Sequence, residues 1–289
     1  MLLSSSTVPA VPAALLPPRS FGAFFAHHGV WAPGVRLFRR IGFPTKAALI
    51  SAVFLIPLVA LLIAYLSAKH EIIVFAEHER AGIDLMEAIE PWLVEVQKQR
   101  RGVLGGSQRE ADSVAIESAL AAAAKLIAAR PTGIDVGKSM DAAKKAHEAL
   151  RAVAGQDSKT AGAALQAYVE ALIALKTDVV DASLLSLDPD QGTYYLMAIS
   201  SATVPAVGES IAYGLASAAA YGRAGAASSA DLRRLYATWN EGRQQVAAIA
   251  DQVARAAAAE PLVAQRLRTD TAVKAAQAYY DAAEAAWFG

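Results

Sequence analysis

The sequence predicts an all-α chain: one transmembrane helix continuing into an extended antiparallel helical bundle. Three observations carry that prediction. Residues 47–67, AALISAVFLIPLVALLIAYLS, hold no charged side chain between Lys46 and Lys69. Beyond Ala68, apolar residues recur at alternating steps of three and four, the spacing of a helix face. The 55% hydrophobic fraction is swollen by alanine, a strong helix former, while aromatics make up only 7%, which suits long helices with close-packed small-residue faces. No alternating strand pattern and no Asn-Gly hairpin signal appears.

The elements follow in order. Residues 1–35 carry Pro9, Pro12, Pro17, Pro18 and Pro33 and the pair His27-His28, with no base before Arg19. Prolines break the apolar run that a secretory signal needs. The stretch therefore reads as a disordered cytoplasmic tail or as an over-extended start. Residues 36–46 form a basic juxtamembrane segment with Arg36, Arg39, Arg40 and Lys46 and no acid. Residues 47–67 follow; at about 1.5 Å per residue they span roughly the 30 Å hydrocarbon core of a bilayer. In lipid every backbone polar group needs an internal partner, so the segment must be helical. Pro57 removes one such bond, a defect membrane helices tolerate.

The flanks set the orientation. Four bases precede the span, whereas Lys69, His70, Glu71, Glu77, Glu79 and Arg80 behind it nearly balance. The positive-inside rule leaves the N-terminus in the cytoplasm and carries residues 68–289 across a cytoplasmic (inner) membrane, single-pass, into a periplasm. The absence of cysteine removes disulfides, thiolate metal sites and a catalytic cysteine. Zero net charge gives no electrostatic case for nucleic acid.

Within 68–289, Met86, Ile89, Leu93, Val96, Arg100 and Val103 form a seam that stops at Gly105-Gly106. A second helix runs to about Arg130, ended by Pro131 and Gly133; a shorter one covers roughly 138–154 and stops at Gly155. The next spans about 158–187, with Leu165, Tyr168, Leu172, Leu175 and Val179 on its seam. Asp188 before Pro189 then suits an N-cap followed by proline at the first helical position, with Asp190 and Thr193 as alternative caps. A long helix follows to about Ala227. Leu232, Leu235, Trp239, Gly242, Val246, Ile249 and Val253 mark another, and a last helix begins after Pro261 with Val273, Ala276, Tyr280, Ala283 and Trp287. Whether these make one tall bundle or two stacked ones stays open.

Arg100 is the first candidate site residue, because its seam neighbours are all apolar and a guanidinium there must find an anion or water. With Arg101 beside it, the planar fork suits a small anionic ligand such as a carboxylate or nitrate; a structural pair with a glutamate of another helix satisfies it equally. Tyr194 and Tyr195 gather with Asp188 and Asp190 at one corner, where they line a pocket at a helix start or simply anchor a capped turn. Arg223 is the only charge from Ile211 to Ser229, and either reaches a shared pocket or snorkels to solvent. His70, His78 and His147 do not form a metal set, and His147 reads as a packing residue with its polar atoms satisfied. No P-loop, GxSxG, HExxH or dinucleotide fingerprint is present. No cofactor is called for, and nothing points to an enzyme.

Gln97-Lys98-Gln99-Arg100-Arg101-Gly102, then Leu187 to Met197 (LDPDQGTYYLM), then Pro205 and Gly222-Arg223, taken with the basic patch and single span, resemble the N-terminal sensor region of bacterial methyl-accepting chemotaxis proteins. Related transmembrane histidine kinases and diguanylate cyclases share it. The QxxRG element is also similar to the arginine motif of nitrate- and nitrite-sensing helical domains. The resemblance covers about residues 36–289. It implies Arg100, Arg101 and Arg223 as ligand residues, with Arg101 before Gly102 matching the motif's arginine and Arg100 standing where an acidic or polar residue is usual. It also implies a homodimer, and a second span leading to a signalling region; the sequence reaches Trp287-Phe288-Gly289 about where that span is expected to begin, as a split receptor or a stand-alone module. The functional expectation is the ligand-sensing part of a chemotaxis-type transducer that relays small-molecule binding through helix displacement. The alternatives are a membrane-anchored helical scaffold or adaptor, or the sensor half of a histidine kinase or diguanylate cyclase.

Overall fold

A computed structural model describes residues 32–106, 111–130, 133–187 and 189–289. The expectations for most of the N-terminal tail, for the Pro131 stop and for an Asp188 cap lie outside the described residues. All regular structure among the described residues is helical, with no strand. The chain forms two compact units, one up to His70 and one from Glu71 to Gly289.

In the first unit, α1 (Ala32–Arg40) carries Arg36, Arg39 and Arg40 and breaks at Ile41-Gly42. Helix α2 (Phe43–Gly105) then starts and runs for 63 residues, straight through Pro57. Leu55, Ile56, Leu58, Leu61, Leu62 and Ile63 are all exposed. An uncovered apolar surface of this length is suited to a bilayer. Among the described residues α2 is the one helix long and apolar enough to cross a membrane, and none of its most apolar window is buried in protein.

The second unit holds two apolar cores. In the first, α2 buries Leu85, Met86, Ile89, Trp92, Leu93 and Val96 against α3 (Ala111–Ala129), α4 (Gly137–Ala152) and α5 (Ser158–Ala182). Those α2 positions follow the three-four spacing of one helix face. α5 runs opposite to α2: a Cβ at Gly162 would meet Leu104, Trp92 donates to the Tyr168 hydroxyl at 2.6 Å, and Lys176 pairs with Glu90. Asp157 caps α5, accepting from the amides of Lys159 and Thr160 at 2.9 and 3.0 Å.

α5 ends at Ala182, earlier than the periodicity predicts. Ser183 folds its hydroxyl back onto the Val179 carbonyl at 2.6 Å, and Leu184 takes a left-handed φ of 63°. That strained turn drops Leu185 into the core. A Cβ on Gly82 would lie 2.2 Å from Ser183 Oγ and 2.9 Å from a Leu185 methyl, so only glycine lets α2 pass this close.

The next helix starts at Gln191, not at Pro189: Asp190 is its cap, accepting from the Gly192 amide at 2.8 Å. The predicted single helix to Ala227 is three pieces, α6 (Gln191–Ala198), a π-helical turn (Ile199–Thr203) and α7 (Val204–Ala224). Pro205 explains the break in register. It has no N–H for the Ser201 carbonyl and crowds it, and the ladder widens to i→i−5, with Val204 N–H reaching the Ile199 carbonyl. Gly225, at φ 72°, ends α7.

A Ser228–Asp231 capping box opens α8 (Ser229–Ala259). The predicted last helix is also divided, into α9 (Pro261–Arg266) and α10 (Asp270–Trp287). α8 and α10 run in opposite directions, and α9 sits within the reversal that this demands. The second core gathers Val207 of α7, Trp239, Val246 and Ile249 of α8, and Tyr280 and Ala283 of α10. Trp239 donates to the Tyr280 carbonyl at 3.0 Å. α7 climbs beside α2, with Glu209 level with Arg100 and Ala219 level with Gly105. Trp287 packs at Gly214, between those levels. The end of α10 therefore lies at the end of the bundle where α2 stops. An odd number of long passes among the described residues leaves α10 running the same way as α2.

Candidate functional site

The two cores meet along a polar seam, and Arg100 is its centre. The side chain is 1% exposed. Its Nη1 donates to Gln166 Oε1 at 2.6 Å and to Glu209 Oε1 at 2.9 Å, while Nη2 donates to Glu209 Oε2 at 3.1 Å. Gln97 adds a hydrogen bond to Glu209 Oε2 at 2.7 Å. A planar fork on a planar carboxylate is the geometry in which arginine binds most firmly. Tyr213 offers its ring to both Arg100 and Arg234, at 5.8 and 5.3 Å. The anion that Arg100 requires is therefore supplied from within, by α7. Arg100 Nε is buried and has no hydrogen-bond partner.

The other predicted residues lie elsewhere. Arg101 is exposed on α2. Arg223 reaches across the end of the bundle, where Nη2 donates to Ser158 Oγ at 2.5 Å and the guanidinium covers Gly106, whose φ is 83°. Tyr194 and Tyr195 stack edge to face at 5.4 Å near the start of α6. Arg255 of α8, itself paired with Asp251 at 2.8 Å, sits 5.9 Å over the Tyr195 ring. Arg100, Arg223 and the tyrosine pair thus occupy three separate levels of the unit.

Beside the Arg100–Glu209 pair opens a cleft of about 290 Å³, walled by α2, α5, the π-helical turn, α7 and α8. None of the five predicted site residues lines it. Its apolar wall is Leu93, Ile173, Ala202, Pro205 and Ala206. Its polar wall includes Lys176, Thr177, Ser201, Glu209, Ser210 and Glu241. Lys176 is buried, and its ammonium is drawn to Glu90 on α2. A concave, largely apolar site with a few polar groups, next to an irregular helical turn, is the usual setting of a small-molecule site.

Sequence periodicity missed Glu209, Lys176 and Glu241. For Glu209 a signal existed: it is the single acid between Asp190 and Asp231, on a helix that must face the Arg100 seam. Lys176 adjoins Leu175 on the α5 seam and is buried by the same face. Glu241 carried no signal, because its role depends on where α8 passes the π-helical turn.

His147 packs its ring on Tyr168 at 5.7 Å, but its Nδ1 is buried without a hydrogen-bond partner, unlike the satisfied residue the sequence suggests. Burial holds its pKa below the ordinary value, with Glu117 opposing that shift. Burial likewise pushes the Tyr168 hydroxyl up. Among the described residues no group of histidines and carboxylates is placed to hold a metal ion. Comparison with protein-family models, with curated proteins and with solved structures finds no match to this chain.

Proposed function

We propose that this chain is a membrane-anchored sensory module, which binds a small molecule at the cleft beside Glu209 and relays its occupancy through α2. The observation that carries the reading is that the cleft is lined by helices of both cores, α2 and α5 of the first and α7 and α8 of the second. Occupancy would favour one spacing of α7 and α8 against α2 and α5 over another, and a ligand shifts an equilibrium by its differential affinity for the two states. The apolar stretch of the unbroken α2 is suited to a bilayer, so a small displacement or rotation along its axis is the natural output. On this reading the segment from 47 to 67 is a single pass through a cytoplasmic membrane. The basic residues of α1 stay on the cytoplasmic side, and residues 68–289 are periplasmic. A homodimer and a chemotaxis-type output belong to the same proposal and rest on the sequence resemblance. No catalytic step is proposed.

The scaffold reading draws support from one feature, the Arg100–Glu209 pair, which closes on itself and asks for no ligand. The two readings separate in a thermal-shift screen of the full chain in lipid nanodiscs against a broad panel of small metabolites. A sensor gains stability from a compound that binds only its native state, and loses that gain when Ala206→Trp fills the cleft. If no compound in the panel moves Tm, the sensory reading is wrong and the scaffold reading stands. A periplasm-active reporter fused after Gly289 checks the orientation: an inactive reporter on an expressed, membrane-inserted fusion would reverse it.

A further inference from the structure

The charges and hydrogen bonds around the cleft determine the kind of molecule it can hold. Arg100 and Lys176 are the two cations at its margin, and both already face carboxylates, Glu209 and Glu90. Those pairs are self-neutral. Glu241 makes no hydrogen bond or ion pair among the described residues, so the cleft carries one uncompensated negative charge. Three of the four hydroxyls in the lining repeat the bias, and Thr238 is the exception, with its proton still free to donate. Thr177 donates to the Ile173 carbonyl at 3.1 Å, Ser201 to Met197 at 2.6 Å and Ser210 to Thr238 at 2.7 Å. Each has spent its single proton on backbone, and what remains at each oxygen is acceptor capacity. Glu209 accepts three hydrogen bonds on two oxygens and keeps room for another.

The cleft is thus walled mainly by acceptors, and its remaining donors are the Thr238 hydroxyl and the protons of Lys176 that Glu90 does not take. An anion entering it would meet two carboxylates and would have to pull Arg100 or Lys176 from its partner. An ammonium would find Glu241, Glu209 and the hydroxyl lone pairs already waiting. Leu93, Ile173, Ala202, Pro205 and Ala206 offer a place for a short hydrocarbon body, and a volume of about 290 Å³ admits only a small one. We infer that the cleft is a site for a small primary monoamine with an aliphatic body, its ammonium held between Glu241 and Glu209. This rests on the sensory reading above and specifies its ligand class, in place of the small anion that the arginine motif suggests.

Three probes with one carbon skeleton test the charge: 3-methylbutylamine, 3-methylbutanol and 3-methylbutanoate, each titrated into the full chain in nanodiscs at pH 7 and fixed ionic strength. The amine is expected to raise Tm by at least about 2 °C at millimolar concentration, with the alcohol and the acid inert. Glu241→Gln should weaken amine binding about ten-fold while leaving the Tm of the free protein within about 1 °C, since an exposed surface carboxylate contributes little to folding. Stabilisation by the acid and not the amine would overturn the inference while leaving the cleft a ligand site. Stabilisation by the amine that survives Ala206→Trp, or is unchanged in Glu241→Gln, would put the amine elsewhere and overturn it too. A response to none of the three overturns the monoamine assignment; the sensory reading falls only when the wider panel is also silent.

Discussion

The α2–α5 core and the α6–α10 lobe are built on different principles. The first is filled by large aliphatic side chains, with Ile89, Leu165, Leu172, Leu175 and Val179 at 0% exposure. Its central polar contact, Trp92 to Tyr168, is made and buried. The second has a smaller apolar core and relies on close backbone approach. Gly192, Gly214 and Gly242 lie at close approaches here, as Gly82 and Gly162 do in the first, and rings cluster where Tyr236, Trp239 and Phe288 meet at 5.2 to 5.6 Å. It also contains the π-helical turn. A core of interlocked large side chains resists displacement, whereas a lobe packed through glycine, alanine and serine has less to unmake when a helix slides. On the sensory reading proposed above, this difference would put the scaffold on the α2–α5 side and the responsive element on the α6–α10 side, with the Arg100–Glu209 pair between them.

The largest expected effect comes from cutting the same side chain in each. Leu172→Ala leaves a cavity among fully buried neighbours and should cost about 4–5 kcal/mol, the upper part of the range for such truncations. Leu235→Ala, 2% exposed but outside the second core's cluster, should cost about 2–3 kcal/mol because its surroundings can close in. Urea unfolding followed by circular dichroism measures both. Equal costs would remove the distinction between the lobes, and separate transitions would show that they unfold independently. The joint between them comes next. Glu209→Ala strands a guanidinium that is 1% exposed, and should cost about 3 kcal/mol or more. Arg100→Met with Glu209→Leu removes both charges and should recover most of that loss. If the single and double variants unfold alike, the pair is not what couples the lobes.

Glycine substitutions test the close-packing argument on a smaller scale. At Gly242 a Cβ would lie 2.2 Å from both the Ser210 and the Tyr280 hydroxyl oxygens. Gly242→Ala should therefore cost about 1–3 kcal/mol through overpacking. Gly208, on α7, has nothing within 4 Å of where its Cβ would be. Gly208→Ala should stabilise by about 0.5–1 kcal/mol through helix propensity alone. A loss at Gly208, or no loss at Gly242, would mean that the spacing of α7, α8 and α10 is not set by these residues.

Much of the helical framework was legible in the sequence, for reasons these residues make plain. The three-four spacing of Leu85 to Val96 and of Leu165 to Val179 is enforced by burial, so it shows directly as pattern. The breaks were harder to see. Pro205 reads as tolerable near a helix start, yet its missing N–H falls inside a longer helical run and widens it into a π turn. The stop at Ala182 depends on Ser183 and Leu185 closing over Gly82, a contact a hundred residues distant in sequence that no local propensity encodes. The same holds for the site. Arg100 stood out because a charge on an apolar seam is locally anomalous. Its partner Glu209 and the cleft beside it exist only once α7 lies against α2. Arg100 and Arg223, which the resemblance singled out, and the tyrosines that the helix start suggested lie at separate levels, because a motif fixes positions along the chain and the fold decides which of them meet.

The smallest effect tests whether the α2–α5 core is as uniformly set as its apolar packing implies. His147 is the exception in it, with a buried Nδ1 that has no partner and a ring on Tyr168. The groups facing it are Glu117 on α3, Tyr168 on α5, and Glu148 and Arg151 on its own helix. Burial lowers its pKa in the folded chain, so between the folded value and the ordinary 6.5 the unfolded chain binds the extra proton. Stability contributed by the neutral ring is therefore complete above about pH 6.5 and is lost as pH falls toward the folded pKa. His147→Phe keeps a ring against Tyr168 and has no proton to take up. Thermal unfolding of the full chain at pH 7 and pH 5 should show wild type losing more Tm than His147→Phe across that interval. Parallel losses would mean that the ring is hydrated in solution, and that this turn of α4 is as accommodating as the lobe across the cleft.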